Sequence, residues 1–172
     1  MYYASMSDPS SNYRSAEFVN LLKSLLHNVG VVIVGFGVAL LGAALDFLLG
    51  VARFHSVMTT ALAWLLLAIG FLLRVWATFH FYQRQMKVIS LVPQKSLITT
   101  GPYRFSRNPL YLGGNVFIFL GAVILLGSPS GIVLSAINVL VVEFMIRREE
   151  KQLAPEFGEA WVRYKNRVRR WL

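Results

Sequence analysis

Two long, predominantly apolar stretches, from about Val29 to Leu49 and from about Val57 to Phe79, dominate the first half of the chain. Each matches the roughly 20 residues that a helix rising 1.5 Å per residue needs to cross the hydrocarbon of a bilayer. From Asn108 to Val142 no charged residue occurs, which is too long for one crossing, and Gly127-Ser128-Pro129-Ser130-Gly131 interrupts it with a strong turn signal. The pattern predicts a helical hairpin with arms at about 110–126 and 131–148. Beyond it, Leu153, Phe157, Trp161, Tyr164, Val168 and Trp171 recur at steps of three and four, one face of a helix, with Lys and Arg on the other. This tail is expected to lie at the lipid headgroups as an amphipathic helix, broken at Gly158. The fold class is therefore all-α: a multi-pass transmembrane bundle with a C-terminal helical hairpin and an amphipathic tail helix.

The first 24 residues are polar and rich in Ser, Asn and Tyr, and read as a flexible or interfacial arm, with Ser5 to Ser15 flexible. Residues 25–172 then form a single membrane domain. The first apolar run is far longer than a secretory signal core and is not closed by a small-residue cleavage site, so it is expected to be a retained span.

Composition removes the soluble alternatives. Of 172 residues, 56% are hydrophobic and 15% charged, with mean hydropathy +0.56, more apolar surface than a soluble domain of this size can hide. The net charge of +9 would suit nucleic acid in another context. Beside long apolar runs it marks basic flanks that face anionic lipid. With no cysteine, thiolate metal sites, disulfides and cysteine nucleophiles are excluded. Fifteen of the 17 basic residues fall in the N-terminal arm, the connector after the second span (Arg84, Lys87, Lys95, Arg104, Arg107) and the tail. Only Arg53 lies in the opposite connections, and Arg74 lies inside the second span. Both termini are therefore expected in the cytosol.

Polar groups at span depth are costly and are usually paired. Glu143 stands one turn before Arg147, so an i,i+4 ion pair accounts for it. Glu150 is two turns beyond Glu143 and nearly on the same face, which would direct two carboxylates into one pocket. Arg74 is expected to snorkel, and Asp46 to be interfacial. His27, His55 and His80 have no ligand spacing, so no metal site is expected. Gly35, Gly37 and Gly42 read as close helix packing rather than a nucleotide loop.

The connector from His80 to Asn108 is long for a compact fold, and such segments tend to carry function. Gly101-Pro102 forces a turn, and Pro109 suits the first turn of the next helix. Arg104, Arg107, Tyr103 and Tyr111 thus gather at the mouth of the hairpin, opposite Glu149 and Glu150, because both ends of a helical hairpin emerge on one side.

At these residues the sequence resembles the integral membrane methyltransferases, which include isoprenylcysteine carboxyl methyltransferase and the phospholipid N-methyltransferases. The resemblance rests on Gly101, Pro102, Tyr103, Arg104, Arg107, Pro109, Tyr111 and Gly113, followed by Glu149, Glu150, Leu153, Phe157, Gly158 and Tyr164. Asn108 replaces the His of the isoprenylcysteine branch, while the glycine pair of the phospholipid branch is not evident between His80 and Thr100. The resemblance implies S-adenosylmethionine as the donor and a lipophilic or lipid-like acceptor, with a carboxylate or amine headgroup, entering from the bilayer. It implies no metal and no nucleic acid. Arg107, Asn108 and Glu143 would stand at the reacting centre. Leu97, Thr99, Thr100, Gly101, Tyr103, Arg104, Arg107, Asn108, Pro109, Tyr111, Glu149 and Glu150 would surround the donor. In that scheme Glu150 accepts from the donor's ammonium, Arg104 or Arg107 pairs with its carboxylate, and the two tyrosines stack or hydrogen-bond. Backbone groups of Leu97 to Tyr103 would hold the adenine end. Membrane sterol reductases share a related C-terminal pattern but use NADPH, and a non-catalytic lipid-binding protein is a third reading. The neighbouring glutamates favour a cofactor with an ammonium.

The charge distribution generates a topology test. A single cysteine at Ser130 should react with an impermeant reagent from the outer face and one at Ser96 should not; the reverse labelling would invert the bundle.

Overall fold

The computed structural model describes residues 9–84 and 96–172, with side chains from residue 17 onward. Lys87, Lys95, residues 1–8 of the arm and the Arg14 side chain lie outside the described residues. Four helices and no strand occur among them: α1 (Pro9–Leu49), α2 (Val57–Gln83), α3 (Pro109–Leu125) and α4 (Pro129–Arg167). α1, α2 and α4 are long and apolar enough to cross a membrane. α3, the expected third crossing, is shorter, and its stretch Leu112–Ile118 is wound as a π-helix. α1 starts well before Val29 and carries the helix back through much of the polar arm.

Local signals explain the ends. Gly50, at φ 67°, closes α1, and the N–H of Val51 reaches back to the Asp46 carbonyl at 2.8 Å. Ser56 and Thr59 form a reciprocal capping box at the start of α2. Gly127, at φ 62°, makes the hairpin turn, and Ser128 caps α4 by accepting from the Gly131 N–H at 2.9 Å.

The core contains Ala39, Leu67, Ile118, Phe119, Ala122 and Val123. Small residues let the backbones approach, since dispersion and hydrogen bonds rather than the hydrophobic effect join helices in lipid. A Cβ on Gly42 would strike the backbone of Gly131, and one on Gly70 would strike the Gly113 carbonyl. Gly35 also faces the core, whereas Gly37 meets open space and is not a packing contact.

Burial corrects one sequence expectation and adds a partner to another. Arg74 does not snorkel: it is 6% exposed, donating to Asn28 Oδ1 at 2.7 Å and to the Leu110 carbonyl at 2.6 Å, and meeting His27 Nε2 at 3.3 Å. Beside it Ser24 bonds Thr78, whose hydroxyl accepts from Asn28 at 2.9 Å. This polar cluster joins α1, α2 and α3, because a guanidinium at this depth gains more from fixed acceptors than from stretching toward water. Asp46, near the outer end of α1, is covered by protein, accepting from the Ser128 hydroxyl and, at 2.9 Å, from the Ser130 N–H. It thereby satisfies two groups at the start of α4 and binds α1 to the hairpin turn.

Replacing Asp46 therefore tests the turn. Asp46→Ala should lower the thermal unfolding midpoint in detergent by several degrees, and Asp46→Asn by less, because the amide oxygen still accepts one of the two bonds. Equal midpoints for all three proteins would show that the carboxylate holds nothing together.

Candidate functional site

The pole of the bundle that carries the end of α2, the start of α3 and the tail of α4 is built around one loop. Gly101, at φ 60°, lies against the His80 ring, which would clash with any Cβ there. Pro102 then sets a 3-10 turn over Gly101–Arg104, with the N–H groups of Phe105 and Ser106 donating to the Pro102 carbonyl at 3.1 and 3.2 Å. Asn108 precedes Pro109 at the first turn of α3.

The loop is tied to the C-terminal residues. Arg107 donates its backbone N–H to the Arg169 carbonyl at 2.9 Å. Ser106 Oγ and Asn108 Nδ2 both donate to the Arg170 carbonyl at 3.2 Å. The Arg107 guanidinium gives Nη1 to the carbonyls of Lys165 and Val168 at 2.8 and 3.2 Å, and Nε and Nη2 to Glu150 Oε1 at 3.1 and 2.9 Å. It also lies over the Trp161 ring, 5.7 Å from its centroid.

Glu150 and Glu143 share a face as the helix period predicts, and Arg170 bridges them. Its Nη2 meets Glu150 Oε2 at 2.7 Å and its Nη1 meets Glu143 Oε1 at 2.7 Å. Hydrogen bonding to Glu150 is the main reason that the Arg170 guanidinium is held above its ordinary pKa. Glu143 also accepts from Arg147 at 2.8 Å, as expected, and from Trp171 Nε1 at 3.0 Å.

The amphipathic tail does not lie open at the headgroups. Gly158, at φ 50° and ψ −127°, kinks α4 and turns the stripe back on itself. Trp161, Tyr164 and Val168 are buried against Leu97, Leu153 and Phe157. Tyr164 donates to the Tyr103 carbonyl at 2.8 Å, and its burial pushes the phenol up. The stripe was legible; its partner, the loop, was not, because periodicity identifies an apolar face but not what covers it.

Between loop and tail lies a cleft of about 130 Å³ that opens to the surface. Phe81, Leu97, Ile98, Tyr103 and Leu110 form an apolar side. Glu149, Glu150, Gln152 and Glu156 of α4 form an acidic one, closed by Trp161 and Tyr164. Tyr111 donates to Glu149 at 2.8 Å, which ties α3 to α4 beside the cleft.

Of the residues singled out in the sequence, Leu97, Tyr103, Arg107, Asn108, Pro109, Tyr111, Glu149 and Glu150 line this cleft. Thr99, Thr100, Gly101, Arg104 and Glu143 are not among its walls. Arg104 is exposed, and Thr100 faces Arg84 at 3.3 Å. Glu143 is engaged by two arginines and an indole. Glu150, the expected partner of a ligand ammonium, has both oxygens held by Arg107 and Arg170. Gln152 and Glu156 were missed. Glu149, Gln152, Leu153 and Glu156 follow the i, i+3, i+4, i+7 spacing of one helix face, a signal that was present.

The sequence pattern of one protein family, described as phospholipid methyltransferase, matches residues 58–160, from the first turn of α2 past the acidic face of α4. No curated protein and no solved structure matches the chain.

The Arg170 bridge is partly exposed, so its contribution is discounted for solvent: Arg170→Gln should cost about 1 kcal/mol of stability. It should also speed tryptic cleavage of the last residues. Unchanged proteolysis would show that the bridge does not hold the tail in place.

Proposed function

The chain belongs to the phospholipid methyltransferase family, and on that premise we propose that it transfers a methyl group from S-adenosylmethionine to a lipophilic acceptor. Transfer occurs at the cytosolic face, and the acceptor enters sideways from the bilayer. The observation that carries this reading is the two-sided cleft, acidic along α4 and apolar along α2 and the loop, at one end of a membrane bundle.

The chemistry of the lining fits the donor. The carboxylates of Glu149 and Glu156 suit a ligand with an ammonium and a sulfonium, and aromatic walls suit a flat base. When bound, S-adenosylmethionine supplies a methyl group made electrophilic by its sulfonium. Glu149, fixed by Tyr111, and Glu156, which forms no ion pair among the described residues, would hold the ammonium. Arg107 uses four of its five N–H groups on protein, leaving one on Nη2 for the carboxylate. Glu150 is a positioning residue, holding Arg107 in the wall. Phe81, Trp161 and Tyr164 offer faces for the adenine, alongside the backbone of Leu97 and Ile98.

Methyl transfer gains chiefly from alignment and from exclusion of water, which the closed aromatic end and the tail provide. A carboxylate acceptor is already ionised at neutral pH. An ammonium headgroup must first release a proton to a base or to water.

Calorimetry with S-adenosylhomocysteine and NADPH side by side tests the reading. The first should bind and the second should not; the opposite result would make the protein a reductase. Glu149→Gln and Glu156→Gln should each weaken S-adenosylhomocysteine about tenfold, one charged hydrogen bond apiece. Tight binding by the double variant would put the ammonium elsewhere.

A further inference from the structure

The residues after α4 return toward the lipid instead of leading away from it. At Val168 the backbone becomes extended, with φ −118° and ψ 130°, and the chain then follows α4 backwards. Arg170 spans from Glu150 to Glu143, two turns nearer the membrane, with one nitrogen 2.7 Å from each carboxylate. Trp171 next gives its indole N–H to Glu143 at 3.0 Å. About 15 residues separate Glu143 from the cap at Ser128, so that carboxylate stands about 22 Å along the helix from the hairpin turn. The hydrocarbon of a bilayer is about 30 Å thick, which puts Trp171 and Leu172 at its margin on the cleft side.

The surface of this segment suits that depth. Trp171 is half-buried with its polar edge taken by Glu143, and Leu172 is 67% exposed. Beside them Phe144 is 59% exposed and continues the lipid-facing side of α4 that carries Leu140 and Val141. An indole with one polar edge and an apolar body favours the boundary between headgroups and acyl chains. Arg147, Arg148 and Arg169 stand exposed nearby. The Arg148 guanidinium lies over the Phe144 ring, 4.9 Å from its centroid, a cation whose stem covers an apolar surface. Arg148 and Arg169 form no ion pair among the described residues.

We propose that Trp171 and Leu172 are seated in the leaflet at the cleft end of the bundle, and that anionic lipid headgroups, paired with Arg147, Arg148 and Arg169, latch the C-terminal segment there. The bilayer is the partner because the lipid-facing side of α4 runs directly into this patch. Its anionic component is singled out because the exposed cations await opposite charge, worth about a factor of five for each arginine near a charged membrane surface. The latch bears on the cleft, since Arg107 takes the carbonyls of Val168 and, through its backbone N–H, of Arg169. The inference goes beyond methyl transfer and does not depend on it.

The whole protein in nanodiscs, of phosphatidylcholine alone or mixed with phosphatidylglycerol, tests the latch. Lipid brominated near the headgroup end of its chains should quench part of the tryptophan emission. Trp171→Phe should remove a component that lipid brominated near the methyl end barely reaches. Trp64 and Trp76 in α2 and the buried Trp161 are common to both proteins and cancel in the difference. Amide hydrogens of residues 169–172 should exchange at least about tenfold more slowly with phosphatidylglycerol present. That comparison uses the parent alone and so does not depend on a variant folding. Arg148→Gln combined with Arg169→Gln should remove most of the difference. Equal quenching of the parent and Trp171→Phe would put the indole outside the lipid. Equal exchange in the two lipids would mean that Glu143 and Glu150 hold the segment unaided. An undiminished difference in the arginine variant would mean that anionic headgroups act elsewhere. Each of these three results overturns the proposal, and because none of the measurements uses the methyl donor, they leave the methyl-transfer reading to its own test.

Discussion

Arg107 is the point through which the loop, α4 and the C-terminal residues are joined. Its side chain reaches one carboxylate and two carbonyls, and its backbone N–H a third carbonyl. A planar fork of five donors can span such a set, and the point charge of a lysine cannot. The two carbonyls it takes, from Lys165 and Val168, come where α4 ends and its last carbonyls have no helical partner. The same contact therefore finishes the helix and forms a wall of the cleft.

A second constraint acts deeper, where lipid supplies no hydrogen bonds and every polar group must be satisfied within the protein. Asp46 lies at the turn end of α1, the cluster of Arg74, Asn28, Ser24 and Thr78 lies nearer the site, and Asn115 bonds Asn138 at 3.2 Å between α3 and α4. Each joins two helices that the hydrophobic effect alone would leave free to slide in lipid. Register along the bundle is thus fixed by polar contacts, and apolar packing fills the space between them.

Much of this was legible in the sequence. The three long spans follow from apolar run length, the turn at Gly127 and the kink at Gly158 from turn residues, and the i,i+4 pair of Glu143 with Arg147 and the common face of Glu143 and Glu150 from periods of three and four. What was not legible shares one cause. Whether Arg74 reaches water or Asn28, whether Glu150 meets a ligand or Arg170, and whether the tail stripe faces lipid or Leu97 are contacts between segments far apart in sequence. Hydropathy records that a group is expensive to bury without recording which distant partner compensates it. The family resemblance brought most of the cleft's polar residues together because it carries information about such contacts. It did not reveal Glu156, which only the helix spacing marks.

α4 runs without a break from Ser128 to Gly158, so one rod both crosses the apolar layer and presents the acidic side of the cleft. About 20 residues separate its capped start from Glu149, a lever of about 30 Å. A change of 10° in its tilt, a modest response to a thinner or thicker bilayer, would move the carboxylates by about 5 Å unless the Arg107 and Arg170 contacts resist it. A tilt of that size would couple bilayer thickness to the spacing of the cleft walls, and the arginine clamp is the contact that would oppose it.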